Sequence, residues 1–341
     1  MIDAIRLEIV QRTDYLEGKS VETIYFGGGT PSILNGSELN LLLDEVKANY
    51  QLSTYPEITL EANPDDITTE KLVMWREAGI NRLSIGLQSF KSEDLEWMNR
   101  AHTTEEALNC IELAQKEGFQ NLTVDLMYGL PELTLEQWER HIQTVIAMDV
   151  PHVSAYCLTI EEKTALHHMV KKGAVKPPSE DTQSDQFLLL VNSLEHNGYE
   201  QYEISNFSRP GSESRHNSNY WKGQWYLGVG PSAHSFNGVS RSWNVANNKG
   251  YMKGVKLNQT VGETEALTPE NQFNERILIG LRTSYGVNIQ ELKKLAALPP
   301  QFTELVSDFE QGGWMKVNGY TLVLTKEGRL RADYIASELF I

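Results

Sequence analysis

The sequence predicts an α/β protein built on a parallel sheet wrapped by helices, and three observations carry that prediction. Short β-branched and aromatic runs alternate with helical patterns as far as position 158. The first such run, at 21–26, stops at Gly27-Gly28-Gly29 and then Pro31, which marks a strand opening into a loop. Polar residues fall at the ends of successive runs: Thr30, then Glu61 with Asn63, Gln88, Asp125, and Thr159 with Glu161. In a parallel sheet the carboxyl ends of the strands share one rim, so these loops are expected to build one site.

The elements follow in order. Ile2, Ile5, Ile9 and Leu16, separated by charged residues, predict an amphipathic helix over 2–16. A strand at 21–26 precedes a helix at 37–50, and a strand at 57–61 precedes a helix at 68–78. The strand at 82–86 leads into helical stretches near 92–98 and 103–117. Strand 121–126, helix 134–148 and a fifth strand at 152–158 complete the alternation. Ser37, Thr68 and Thr103-Thr104, each just ahead of glutamates, are the expected caps. Five units are too few for a closed eight-stranded barrel, which leaves an open partial barrel or a doubly wound sheet.

The pattern changes after about position 162. Helical stretches near 163–172 and 181–197 lead to a strand-like run at 199–205 and a long irregular segment at 206–230. Aromatic residues crowd here and just beyond: Tyr220, Trp221, Trp225, Tyr226, Phe236 and Trp243. A long loop of that composition is expected to be functional rather than disordered. From Thr268 onward, helices at 269–284, 288–295 and 301–311, strands at 314–317 and 321–324, and a helix at 327–339 predict a small α+β, winged-helix-like domain. The expected division is 1–162, 163–267 and 268–341.

The 341-residue chain is 40% hydrophobic and 22% charged, with a formal net charge of -16. That acidity disfavours nucleic acid and anionic membrane as general partners. Residues 268–341 hold nine acidic and eight basic residues, which argues against a DNA-reading wing and for a structural or partner-binding role. No stretch is apolar enough to cross a bilayer, and the first residues lack the order of a signal peptide, so a cytoplasmic protein is expected. The two cysteines, Cys110 and Cys157, are expected to be separate buried thiols.

Taken together, YFGGGTPS at 25–32, LEANP at 60–64, RLSIGLQSF at 82–90, NRAH at 99–102, VDLMYGLP at 124–131, HVSAY at 152–156, EISNF at 203–207, HNSNYW at 216–221 and GVGPS at 228–232 resemble one family. It is that of the radical S-adenosylmethionine proteins related to oxygen-independent coproporphyrinogen III oxidase, and within it the HemW-type haem chaperones. The resemblance implies a partial, open TIM-type βα barrel. It implies that Gly28, Gly29 and Thr30 meet the methionine end of S-adenosylmethionine, and that Glu61, Gln88, Arg100 and Asp125 contact the rest. The chemistry suits those residue types: Arg100 to pair with a carboxylate, Glu61 to offset an ammonium, Asp125 to receive ribose hydroxyls.

The same resemblance implies a 4Fe-4S cluster held by a CxxxCxxC loop, which this sequence lacks; neither Cys110 nor Cys157 has that spacing. Two explanations compete, a truncated or misassigned start at an internal methionine, which is the favoured one, and a natural variant without a cluster; 1–341 as written is not expected to reduce S-adenosylmethionine. The HNxxYW match at His216, Tyr220 and Trp221 implies haem binding, with His216 as the iron ligand and the rings against the macrocycle. His234 is a weaker candidate. The function so implied is a haem chaperone that passes haem to an acceptor protein; the alternative is a radical enzyme of porphyrin biosynthesis, similar to coproporphyrinogen III oxidase.

Overall fold

The computed structural model describes residues 1–341. The chain divides into two compact units, one comprising residues 1–25, 34–57 and 214–341, the other 26–33 and 58–213.

Seven strands form one sheet: β1 (Val21–Phe26), β2 (Leu52–Ala62), β3 (Arg82–Gln88), β4 (Leu122–Tyr128), β5 (His152–Cys157), β6 (Glu200–Glu203) and β7 (Asn206–Ser208), in the order β1-β2-β3-β4-β5-β7-β6. β2 to β5 run parallel, whereas β7 is antiparallel to β5 and β6 to β7. The first five neighbours follow chain order without a reversal. A doubly wound sheet needs such a reversal, so the open barrel is the alternative realised.

In the second unit the strands alternate strictly. Ile58, Leu60, Leu83, Ile85, Leu122, Val124, Val153 and Ala155 are buried and share one face of the pleat. The helices following the strands cover that face with residues of their own: Leu72 and Trp75 from Thr69–Ala78, Ile111 and Ala114 from Thr104–Lys116, Trp138 and Val145 from Leu135–Ala147. Each fully buried aliphatic side chain contributes about 1.5–3 kcal/mol. The opposite face is polar. Thr59, Glu61, Arg82, Ser84, Thr123, Asp125, His152 and Ser154 lie on it, in register across β2 to β5. Asp125 is therefore mid-strand in β4, not at a strand end as the sequence suggests.

Helix starts are sealed as their side chains dictate. Thr68 accepts from Lys71 N, and Thr103 forms a reciprocal box with Glu106. The helix Gly36–Asn49 is capped by Asn35, boxed with Glu38, and not by Ser37. β2 begins five residues before the predicted strand, because the polar positions Ser53 and Thr54 give no apolar signal.

In the first unit, the helix Ile2–Gln11 stops short of the predicted end and continues as a 3-10 turn over Thr13–Leu16. It packs on the helices Gly36–Asn49 and Asn248–Lys256. A three-stranded antiparallel sheet, β8 (His234–Phe236), β9 (Ser240–Asn244) and β10 (Gly262–Ala266), has no counterpart in the sequence reading. The segment expected to be irregular, 206–230, holds β7 and a helix, Arg215–Trp221. The C-terminal part carries helices Pro269–Leu281, Ile289–Leu295 and Phe302–Gln311 and a sheet of β11 (Val287–Asn288), β12 (Met315–Asn318) and β13 (Thr321–Leu324) in the order β11-β13-β12. The predicted last helix is two, Lys326–Arg329 and Ala332–Glu338. No helix is long and apolar enough to cross a membrane.

Candidate functional site

The glycine loop owes its path to backbone freedom. Gly28 and Gly29 have φ of 73° and 77°, in the left-handed region where a Cβ is strained, and no heavy atom lies within 4 Å of where either Cβ would stand. The loop is fastened beyond them: Ser32 donates to Asp66 over 2.6 Å, and Lys71 pairs with the same carboxyl at 2.7 Å. Gly28 N–H then donates to Glu61 Oε2 at 3.2 Å.

From Glu61 the site continues along the polar face. Glu61 and Ser84 are register partners, and Ser84 Oγ lies 3.4–3.5 Å from both Asp125 oxygens. Arg100 donates to Asn63 Oδ1 at 2.9 Å and to Gly86 O at 3.1 Å. A Cβ on Gly86 would meet Gln88 Nε2 at 3.0 Å and Arg100 Nη2 at 3.2 Å. The absence of a side chain there is what admits both groups. Gln88 itself has a φ of 68°, which turns the end of β3. Gly28, Glu61, Gln88, Arg100 and Asp125 are thus brought together, with Thr30 in the loop beside them.

Burial, with Glu61 as a nearby like charge, pushes the Asp125 carboxyl up to about 7. The Arg82 guanidinium, buried lower on the same face, acts in the opposite sense, held there by Asn121 and by Thr123 Oγ1 at 2.6 Å. Tyr156, on β5, also faces Asp125, Glu203 and Glu61. Arg82, Ser154, Glu203 and Asn206 are part of this wall and were not singled out from the sequence. The signal was available in the alternation Thr59-Leu60-Glu61-Ala62 and Arg82-Leu83-Ser84-Ile85, which marks a sheet polar on one face.

His216 lies on a helix, not a loop, in the first unit. The backbone N–H groups of Arg215 and His216 both donate to Glu57, at 3.1 and 2.9 Å, and Ser214 caps the same turn. His216 Nδ1 is 2.9 Å from Thr23 Oγ1, its ring stacks on Tyr25 with centroids 4.6 Å apart, and Tyr220 meets it edge-on at 5.0 Å. Burial holds the imidazole down to about 4, so it is neutral at pH 7. The only side-chain hydrogen bond of His216 is the one at Nδ1, and none reaches Nε2. Tyr220, four residues on, shares the helix face of His216, whereas Trp221 turns away beneath the Arg282 guanidinium, 5.8 Å from its ring centroid.

His234 is exposed on β8, tilted over Trp243. Cys110 and Cys157 are free thiols on different elements, and no three histidine, cysteine or acidic side chains converge to hold a metal ion.

Known proteins resemble this chain over nearly its whole length. The Radical SAM superfamily matches residues 6–145 and the HemN C-terminal domain matches 267–331. The heme chaperone HemW of Bacillus subtilis is 33% identical over 338 residues, covering 98% of this chain and 89% of that one. The heme chaperone HemW of Mycobacterium tuberculosis (strain ATCC 25618 / H37Rv) is 35% identical over 339 residues, covering 98% and 85%. Among solved structures, coproporphyrinogen III oxidase (HemN) from Escherichia coli superposes with a TM-score of 0.82 at 24% identity, covering 98% of this chain and 81% of that one. The fold is accordingly the open half-barrel of radical SAM proteins followed by a small C-terminal domain.

Proposed function

Since the chain belongs to the radical S-adenosylmethionine superfamily, in the family of the heme chaperone HemW, we propose that it binds haem through His216 and passes it to an acceptor protein. The observation that supports this most is the state of His216: a neutral imidazole, anchored at Nδ1, with no hydrogen bond at Nε2. A haem-iron ligand needs that state, because iron takes a ring nitrogen that carries no proton. Tyr25 and Tyr220 fix the ring plane from two sides.

In the same proposal the polar wall takes S-adenosylmethionine. Arg100 pairs with the methionine carboxylate, Glu61 and the Gly28–Thr30 loop meet its ammonium end, Gln88 sits beside them, and Asp125 meets the ribose. The wall has the charges for a zwitterion joined to a sulfonium, with Glu61 and Asp125 against Arg100. Residues 1–162 would supply this core, 163–267 the haem segment and 268–341 a structural or docking domain.

The residues present do not fit an iron-sulfur cluster. The family's cluster takes three thiolates, and this chain offers Cys110, buried in a helix with its thiol pushed up to about 12, and Cys157 on β5. No radical step is derived for this chain. The likeness to coproporphyrinogen III oxidase is one of fold and brings no porphyrinogen substrate with it.

Two titrations test the proposal. Haemin is expected to give a Soret band that His216→Ala weakens; a spectrum unchanged by the substitution removes His216 as ligand. Calorimetry with S-adenosylmethionine is expected to show binding that Arg100→Ala weakens about 10-fold or more. No heat with the parent protein would reject the second half.

A further inference from the structure

We propose that Glu203, Asn206 and Ser154 form a one-way hydrogen-bond chain that makes Asp125 a proton donor, so that a ligand bringing hydroxyl donors to Asp125 binds with release of that proton.

The direction of the chain follows from donor and acceptor chemistry. Glu203 is 1% exposed, and its Oε1 accepts the Ser205 backbone N–H at 3.0 Å. A backbone N–H only donates, so that oxygen is an acceptor. The part of Asn206 that meets the same oxygen must therefore be its amide nitrogen. This fixes the amide: Asn206 Oδ1 is turned to Ser154 Oγ, 2.6 Å away. A carbonyl oxygen only accepts, so the single Ser154 proton is committed to Asn206.

Ser154 is the register partner of Asp125, so the two side chains stand side by side on the polar face, with the hydroxyl close enough to act on the carboxyl. With its proton spent, Ser154 offers Asp125 lone pairs alone. The contact is then a hydrogen bond only when Asp125 carries a proton to donate. Both Ser154 and Asn206 are buried, 1% and 4% exposed, so water does not readily replace either partner.

The other groups facing Asp125 come from three strands. Glu61 on β2 disfavours a second negative charge. From β3, Ser84 reaches both carboxyl oxygens only at 3.4–3.5 Å, and Arg82 favours the charge. From β5, Tyr156 stands near enough for its phenol to feel the charge of Asp125. Burial comes first among the effects and favours the neutral acid, whereas a Ser154 hydroxyl that donated to Asp125 would favour the charge; the Asn206 contact takes up that proton. Asp125 keeps part of its surface accessible, so a ligand can reach it.

When a vicinal diol replaces this arrangement, both hydroxyls donate to the carboxylate, and the Asp125 proton passes to the buffer. That last step rests on the S-adenosylmethionine reading above, since its ribose is the diol. The chain itself does not depend on that reading.

Carboxyl-carbon NMR of aspartate-labelled protein, with Asp125→Asn to assign the signal, measures the Asp125 midpoint without ligand. If Ser154 donated to a carboxylate, Ser154→Ala would raise the midpoint. The chain proposed here makes Ser154→Ala lower it. Asn206→Ala, which frees the Ser154 proton to turn to Asp125, should lower it by about one unit or more. A rise in either variant overturns the proposal, and Ser154→Ala alone suffices if Asn206→Ala does not fold. Calorimetry with S-adenosylmethionine in buffers of different ionisation enthalpy should then show about one proton released below the midpoint and none in Asp125→Asn. Binding without proton release overturns the coupling. Absence of binding, with the midpoints shifting as expected, rejects the ligand reading and leaves the chain standing.

Discussion

Thr23 and His216 are joined side chain to side chain, Oγ1 to Nδ1 at 2.9 Å, across 193 positions of sequence. The contact ties the helix Arg215–Trp221 to β1 and holds the ring by Nδ1; in the tautomer in which Nδ1–H donates to Thr23, Nε2 carries the lone pair that iron would take. Thr23→Val removes the hydroxyl but keeps the shape. The haemin Soret band is expected to persist with about 10-fold weaker affinity, whereas His216→Ala loses the ligand itself. Equal loss in both variants would mean that Thr23 does more than orient the ring.

Gly86 gives a way to disturb the polar wall without touching its charges. An added Cβ would crowd the far ends of two flexible side chains, Gln88 and Arg100, and no backbone. Gly86→Ala should therefore unfold close to the parent's midpoint while binding S-adenosylmethionine about 10-fold more weakly, because Arg100 is displaced from Asn63 and Gly86 O. A large loss of stability with affinity intact would reverse the assignment.

Asp125 makes stability depend on pH in an unusual direction for a carboxyl. Its value is about 7 in the folded chain against 3.8 for a free side chain, so between those two the folded state holds the extra proton. Stability then falls as pH rises through that window, by at most about 4 kcal/mol. Asp125→Asn removes the titration and keeps a donor toward Ser154. The variant should melt higher than the parent at about pH 8 and match it near pH 4; a parent as stable as the variant at the higher pH would show that Asp125 ionises without cost.

Much of this architecture is legible in the sequence, for physical reasons that also mark where legibility ends. Strand and helix alternate with different periods, and Thr68 and Thr103 sit where a free helix N–H needs an acceptor, so the half-barrel and its order can be read locally. Gly28, Glu61 and Gln88 can be read too, because they fall where strands end, whereas Arg100 follows the helix Ser92–Trp97 and enters only through the family resemblance. Asp125 cannot be placed that way: it lies inside β4, and the pairing with Ser154 and the side-chain contact with Ser84 show which face it occupies. β9 and β10, as Ser-Arg-Ser-Trp-Asn and Gly-Glu-Thr-Glu-Ala, have almost no β-branched content and exist through pairing with each other. The helix at Arg215–Trp221 depends on Glu57, far away in the chain, to hold its first N–H groups.

Glu8 is the clearest case of a residue whose environment no local pattern reveals, and it yields the last prediction. A charge on an amphipathic helix normally points to water, yet Glu8 is 1% exposed. It accepts from Gly230 N at 2.8 Å, Asn244 Nδ2 at 2.8 Å and Tyr251 Oη at 2.6 Å, with Arg12 Nη1 at 3.4 Å. Three of these donors lie more than two hundred positions away, and all are aimed at one carboxylate. Glu8→Ala strands them together and should cost about 3–5 kcal/mol in urea unfolding, the penalty of breaking a buried charged network from one side. Glu8→Gln keeps one accepting oxygen but turns an NH2 toward groups that also donate, so its loss should be intermediate. If Glu8→Ala lost less than about 1 kcal/mol, water would have to be serving those donors, and the carboxylate would not be what fastens this helix to the chain around residues 230–251.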